Sequence, residues 1–338
     1  VQLFISSNKD LIVVSKGAKG WSVKHQTHPE GDIQSVAADP VSNALYAGTF
    51  DHGLWKSDDD GISWERIGKD LLPNRVMSVR VSPNRQNLSY APLYVGTEPS
   101  ELFQSLDGGD SWSSFPALLN LPSKSTWSFP PRPYTHHVRD IAIGYGDENF
   151  LLAGIELGGV MRSLDGGRSF EDRKEHSQYD CHTIKLHPTA TERIYEAGGG
   201  GYAQSTDRGA TWETQNDGLR NYSYLVHVAV DPGNPDTVVV SGAEGPRSAY
   251  RPDNANTFVF RRDSSNEAWE RVTEGLPSSE GSTVLHLHTN PKEPNVFYGI
   301  NNRGVYTSND QGRTWESAPI EWPHFLEKRR ITDVALKA

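Results

Sequence analysis

The sequence predicts an all-β chain folded as a seven-bladed β-propeller. Two observations carry this: a turn signature that recurs at blade-length intervals, and an alternating strand that recurs in phase with it. The composition agrees, with 31 Gly, nine Trp and 10% aromatic residues in 338. Such material suits many short strands joined by tight turns. Repetition also lets one domain exceed the usual single-core size, so residues 1–338 read as one propeller domain.

The signature is Ser-x-Asp-x-Gly-x-x-Trp/Phe. It occurs as Ser57-Asp59-Gly61-Trp64, Ser105-Asp107-Gly109-Trp112, Ser163-Asp165-Gly167-Phe170, Ser205-Asp207-Gly209-Trp212 and Ser308-Asp310-Gly312-Trp315. The Asp side chain can bond backbone N–H groups, Gly supplies positive φ, and the aromatic packs between sheets. Two degenerate copies keep only Trp21 and Trp269. The seven aromatic anchors stand 42 to 58 residues apart. That interval is one four-stranded blade.

Each unit also carries a short alternating strand: Ile33 to Pro40, Val76 to Pro83, Val138 to Ile143, Cys181 to Pro188, Leu225 to Pro232 and Val284 to Pro291. Period-two alternation marks a half-buried strand. The seventh, Ile331–Leu336, lies at the C-terminus. The residues after Trp315 and before Trp21 together make one more blade length. The C-terminal strand is therefore expected to pair with the N-terminal blade and close the ring, leaving no free edge. No stretch reads as a long amphipathic helix.

The five turns resemble the Asp-box, or BNR-repeat, proteins, a superfamily that includes sialidases, sortilin-type receptors and photosystem assembly factors. Phe129-Pro130-Pro131-Arg132-Pro133-Tyr134-Thr135-His136-His137-Val138-Arg139, followed by Gly154-Ile155-Glu156-Leu157-Gly158-Gly159-Val160, is similar to a bacterial glycosyl hydrolase-like, exo-sialidase-like branch. The resemblance implies a propeller over nearly the whole chain. It implies function weakly, because one fold hosts many activities. The Asp-box turns are expected to be structural.

A net charge of −10, with no basic run beyond Lys328-Arg329-Arg330, argues against a nucleic-acid partner. The first apolar run, Leu11-Ile12-Val13-Val14, is too short for a signal segment or a membrane span. A single cysteine, Cys181, excludes an intramolecular disulfide and suits the cytoplasm, although a start at Val1 leaves room for a removed leader. Gly198-Gly199-Gly200-Gly201 has no following helix to make it a phosphate loop, so no nucleotide cofactor is expected.

Asp-box turns join third and fourth strands and so share one face. The opposite face holds the blade-to-blade connections and the second-to-third turns, and there a ligand site is expected. Two insertions, 120–136 and 243–257, are long enough to wall such a site. Candidate catalytic residues on this face are Arg139, Glu156, Tyr179 and Glu98. Candidate substrate contacts are Arg75, Arg303, Tyr224 and Trp127. Arginines match carboxylates bidentately, so Arg75, Arg139 and Arg303 are candidates for an anion clamp.

His137, His182, His227 and His286 stand near the starts of the first strands of four consecutive units. Neutral imidazoles oriented by carboxylates suit one divalent metal ion. Their places relative to the strand's apolar positions do not match, so simple alternation aims them to different sides. Arg-Ile-Pro, expected near the start of a sialidase, is absent.

Two function classes remain open. One is an enzyme acting on a small anionic or sugar-like substrate, by glycosyl hydrolase-like or metal-dependent lyase or oxygenase-type chemistry. The other is a non-catalytic scaffold or assembly factor that holds a protein partner.

Overall fold

The computed structural model describes residues 1–18, 20–26, 29–84 and 89–337. The chain is a seven-bladed β-propeller of small antiparallel sheets, and it divides into two compact units. The first unit, 1–173 with 332–338, carries four sheets. The second, 174–331, carries three.

In the first unit, blade 1 joins Gln2–Ser7, Asp10–Gly17 and Gly20–Gln26 to the C-terminal strand Asp333–Lys337. Blade 2 is Asp32–Ala38, Leu45–Phe50, Gly53–Ser57 and Glu65–Ile67. Blade 3 is Val76–Val81, Leu93–Thr97, Leu102–Ser105 and Ser113–Ser114. Blade 4 is Val138–Gly144, Asp147–Ile155 and Gly159–Ser163. Its expected fourth strand is reduced to one bridge, Arg162 to Glu171. The chain leaves the sheet there because the next residue, Asp172, accepts the N–H of Ser123 at 2.8 Å instead.

In the second unit, blade 5 is Cys181–Leu186, Ile194–Gly198, Gly201–Ser205 and Glu213–Thr214. Blade 6 is Tyr224–Asp231, Asn234–Ala243, Phe258–Arg262 and Glu270–Val272. Blade 7 is His286–His288, Phe297–Asn301, Gly304–Ser308 and Glu316–Ser317. Its first strand begins two residues later than expected. Val284 donates its N–H to Ala249 in the 243–257 insertion, which takes that residue out of the ladder.

Closure forms as expected. Gln2 pairs with Lys337, Phe4 with Ala335 and Ser6 with Asp333. The Asp333 carboxylate accepts the Ser35 hydroxyl at 2.7 Å and the Val36 N–H at 3.0 Å. Arg80 approaches the same carboxylate at 3.4 Å and binds Asp140 at 2.8 Å. One polar network thus crosses blades 1 to 4. The core lies between sheets, as where Tyr46, Val79, Val95 and Phe103 pack together across blades 2 and 3.

First strands share a device that the sequence did not reveal. In blades 2 to 6 the ladder skips one residue near its start, between Ile33 and Ser35, Val76 and Ser78, Val138 and Asp140, Cys181 and Thr183, and Leu225 and His227. Such bulges re-aim side chains. The residue after the skip faces the next blade: Ser78 donates to Val138 O and Thr183 to Val226 O.

The Ser-x-Asp-x-Gly turns join third and fourth strands and repeat one set of bonds. Asp107 accepts the Ser105 hydroxyl at 2.7 Å and the Ser111 N–H at 2.9 Å, while Gly109 N–H donates to Ser105 Oγ at 2.8 Å. Gly109 has φ +105°, and an added Cβ would stand 2.3 Å from Ile67 Cδ1. In the equivalent turn, hydrogen bonds from Ser63 hold the Asp59 carboxyl down at about 2.

Three outcomes follow. Asp333→Ala leaves the Ser35 hydroxyl and the Val36 N–H without their acceptor, while Arg80 keeps Asp140, and should cost about 1–3 kcal/mol in urea unfolding. Deleting residues 331–338 should be worse, leaving little folded protein; normal melting of the truncated chain would show that closure is dispensable. Asp107→Ala should cost only about 1 kcal/mol, as expected for turn hydrogen bonds.

Candidate functional site

In the first unit, the predicted residues gather at one end of blades 2, 3 and 4. The second-to-third turns of these blades carry Asp51, Glu98 and Glu156, and residues just before or inside the first strands supply Arg75, His137 and Arg139. Arg75 binds Asp51 at 2.7 Å and Glu98 at 2.9 Å. Arg132, from the 120–136 insertion, donates through Nε to Glu98 Oε1 at 2.7 Å and through Nη2 to Oε2. Both guanidinium groups lie over the Phe50 ring, at 4.5 and 5.0 Å.

Glu98 is consequently fully buried beneath two guanidinium groups. Glu156 is in a different position. Its side chain keeps 18% exposure, with Oε2 at 3.0 Å from His137 Nε2 and 3.4 Å from Arg139 Nε. His137 packs edge-on against Phe129 at 4.8 Å, and its Nδ1 faces Glu98 Oε2 at 3.7 Å. Its imidazole thus stands between an inaccessible carboxylate and a reachable one. Arg139 is the residue skipped by the blade 4 bulge, which is why it can turn toward Glu156.

Trp127 lies in the core. It is 6% exposed, packs with Val138 and Ile155, and donates its indole N–H to Ser123 Oγ at 2.9 Å. The insertion instead presents Phe129, Arg132 and the 77% exposed Tyr134 to the carboxylates or to solvent. Sequence reasoning marked this loop as a wall but did not single out Arg132. Nothing in an Arg between prolines shows which carboxylate it will reach.

In the second unit, His182 is the residue skipped by the blade 5 bulge. Its Nδ1–H donates to Leu225 O at 2.6 Å, and its Nε2 lies 3.5 Å from Asp180 Oδ2. Tyr224 packs edge-on against this ring at 4.9 Å. His227 follows the blade 6 bulge and meets the ring of His286, centroids 4.1 Å apart. His286 Nε2–H donates to Ile331 O at 3.1 Å. Tyr179 is 43% exposed. Arg303 is half-exposed, with Nη1 3.9 Å from Glu327. Each predicted clamp arginine therefore has a carboxylate beside it.

Cys181 is buried beside Glu196 on the neighbouring strand, as an inert thiol would be. Burial pushes the Glu196 carboxyl up to about 8, against hydrogen bonds from the Gln178 N–H and Cys181 that favour the charge. The glycine run next to it allows close approach: a Cβ on Gly198 would stand 2.4 Å from Asp180 O.

No family model matches the chain. A Paenibacillus sp protein named a xyloglucanase is 26% identical over 237 residues, which cover 66% of this chain and 21% of that protein. Among solved structures, an ancestral GH74 enzyme superposes with a TM-score of 0.64 at 21% identity, over 85% of this chain and 38% of its own. A GH74 enzyme from Niastella koreensis gives 0.63 at 17% identity, over 93% and 54%. The structure described as YCF48 bound to D1 peptide gives 0.54 at 19% identity, over 85% and 82%. At these identities the solved structures share the fold. The chain spans about a fifth of the xyloglucanase and about half or less of the two GH74 enzymes.

The Glu196 carboxyl has a folded-state pKa above its ordinary 4.5, so the folded state holds this proton more tightly than the unfolded chain. Its contribution to stability is full below about 4.5 and is lost as pH rises to about 8. Glu196→Gln keeps a neutral group there and should gain on wild type across that interval in paired thermal melts. A difference that stays constant with pH would place the ionised form at no disadvantage.

Proposed function

We propose that the protein is a carbohydrate-active propeller that takes a sugar-like ligand at Glu156 and Arg139. The observation that carries this reading is the contrast between two glutamates on one face. Glu98 is buried and engaged by Arg75 and Arg132, whereas Glu156 is oriented from behind by His137 and stays reachable. A fixed carboxylate beside a guanidinium can accept and donate hydrogen bonds to vicinal sugar hydroxyls, or pair with a ligand carboxylate through Arg139. In a hydrolytic reaction Glu156 would be the proton-transferring carboxyl, and Glu98 would hold Arg75 and Arg132 in place. The match to a protein named a xyloglucanase and the fold shared with GH74 enzymes support a saccharide as the ligand class. The sequence resemblance to the exo-sialidase-like branch points the same way.

A divalent metal bound through His182, with His227 and His286 turning toward it, is a separate part of the proposal; among the described residues the ligand nitrogens of these three do not already stand within 4.8 Å of one another as a group. The Leu225 carbonyl fixes the tautomer of His182, as outer partners do for metal-bound imidazoles. Elemental analysis of untagged protein checks it. Absence of stoichiometric metal, with no rise in melting temperature on adding Fe, Mn, Cu or Zn, would end it.

A protein-holding scaffold is the second reading. It is favoured by one observation: the match to the peptide-bound YCF48 structure covers 82% of that chain as well as 85% of this one.

The test is isothermal titration with xyloglucan oligosaccharides and with uronic and sialic acids. Wild type should bind at least one class. Arg139→Ala and Glu156→Gln should each weaken binding by about tenfold or more with little change in melting temperature. Unchanged affinity in both variants, or no saccharide binding by wild type, would return the protein to the scaffold reading.

A further inference from the structure

In the second unit, the connection into blade 6 forms a cleft of about 490 Å³ against the last two strands of that blade. Gly218, Arg220, Asn221 and Tyr222 make one wall, and Phe260, Trp269 and Arg271 make the other. Trp269 holds the connection in place. It donates its backbone N–H to Asp217 O at 2.8 Å and its indole N–H to Gln215 O at 2.8 Å. Gly218, at φ +92°, permits this approach, because a Cβ there would stand 2.3 Å from Trp269 O. Arg220 then takes φ +54°, a left-handed conformation seldom adopted by a residue with a long side chain.

The cleft is rich in donors and has no counter-charge. No Asp or Glu lines it, and among the described residues neither Arg220 nor Arg271 forms an ion pair. Arg271 lies over the Phe258 ring instead, 3.9 Å from its centroid. The Asn221 amide and the Tyr222 hydroxyl also have no hydrogen-bond partner among the described residues. A third guanidinium lies behind this wall. Arg262 is 2% exposed and sits 4.6 Å from the Trp269 ring and 4.5 Å from the Tyr202 ring. Its acceptors are the side-chain oxygens of Gln204, at 3.0 Å, and Gln215. Ring faces and amide oxygens shelter this charge without cancelling it. Three arginines thus present one sign of charge at a single place in a chain of net charge −10. Arg75, Arg139 and Arg303 differ, since each has a carboxylate beside it.

We propose that this cleft binds a phosphate monoester, with Arg220 and Arg271 on the phosphate oxygens and Asn221 and Tyr222 as further donors. Guanidinium groups offer donors only, and they match phosphate geometry bidentately. Two of them without a carboxylate between them balance a dianion, which a phosphate monoester supplies near neutral pH and a single carboxylate does not. The cleft is the size of a small-ligand pocket, larger than a bare phosphate ion fills. The remaining space, against Tyr222, takes the group to which the phosphate is esterified. This site shares no residue with the Glu156–Arg139 pair and does not depend on the carbohydrate reading.

Inorganic phosphate, phenyl phosphate, neutral phenol and a phosphoserine peptide are titrated calorimetrically into the full chain. Wild type should bind phenyl phosphate more tightly than inorganic phosphate, and should not bind phenol. Affinity should fall as pH drops below about 6, where the ester loses its second charge. Arg271→Gln should weaken phenyl phosphate binding by about tenfold or more. Arg220→Gly should do the same with an unchanged or higher melting temperature, because glycine adopts the left-handed backbone freely. Arg168→Ala, which removes an exposed cation from the first unit, should bind as wild type does. The peptide arm separates the two sources of the ester. Tighter binding than phenyl phosphate, lost in the same two variants, supports the site with the phosphate on a protein partner; weaker binding supports it with a free small ester. No phosphate binding by wild type, affinity unchanged in both Arg220→Gly and Arg271→Gln, or phenol bound as tightly as its phosphate would overturn the proposal. So would an equal loss in Arg168→Ala, which would show a general response to charge rather than a site.

Discussion

The first unit depends on one buried carboxylate. Asp333 belongs to the last strand of the chain, yet its oxygens satisfy Ser35 and the Val36 N–H in blade 2 and draw in Arg80 from blade 3, which in turn binds Asp140 in blade 4. Burying a charge is tolerable only when it is paired and hydrogen-bonded, so these groups must come together or not at all. The network therefore couples the chain's two ends to the first strands of the three following blades. Strand pairing between Gln2–Ser7 and Asp333–Lys337 supplies the ladder, and the carboxylate supplies the register. Because Asp140 and Arg139 are neighbours at the blade 4 bulge, the same constraint that closes the sheet also places the arginine of the candidate site.

The bulges account for the mixed placement of the functional side chains. A regular strand alternates sides with period two, and under that rule His182 and His227 aim differently. The skipped residue resets the alternation. His182 occupies the skip itself and reaches the Leu225 carbonyl; His227 occupies the next position, which in blades 3 and 5 carries Ser78 and Thr183 and faces the following blade. Much of the fold was legible because its signals are local. Asp and Gly at fixed offsets make the same turn wherever they occur, and the aromatic anchors keep count of the blades. The bulges were not legible, since a one-residue shift leaves no residue type behind it. Nor was the loss of the fourth strand in blade 4, which turns on a contact between Asp172 and a backbone N–H 49 residues away.

The candidate site shows the same division. That Glu98, Glu156, Arg75, Arg139 and His137 share a face followed from strand direction and turn order. Which carboxylate stays reachable did not, because it depends on Arg132, carried by an insertion whose path is set by packing rather than by pattern. Two guanidinium groups on one glutamate, with an aromatic ring beneath both, make Glu98 a fixed support. His137 then transmits that fixed geometry to Glu156. Trp127, a candidate substrate contact in the sequence, is instead the hydrophobic anchor that holds the insertion to the core.

The central claim is that Glu156 and Arg139 are the groups that meet a saccharide. A crystal structure of the protein soaked with a xyloglucan oligosaccharide tests it most directly. The account predicts a sugar ring with hydroxyl groups within hydrogen-bond distance of the Glu156 carboxylate and the Arg139 guanidinium, with Glu98 still bound to Arg75 and Arg132. An oligosaccharide well ordered elsewhere on the protein while Glu156 and Arg139 contact only solvent would contradict it.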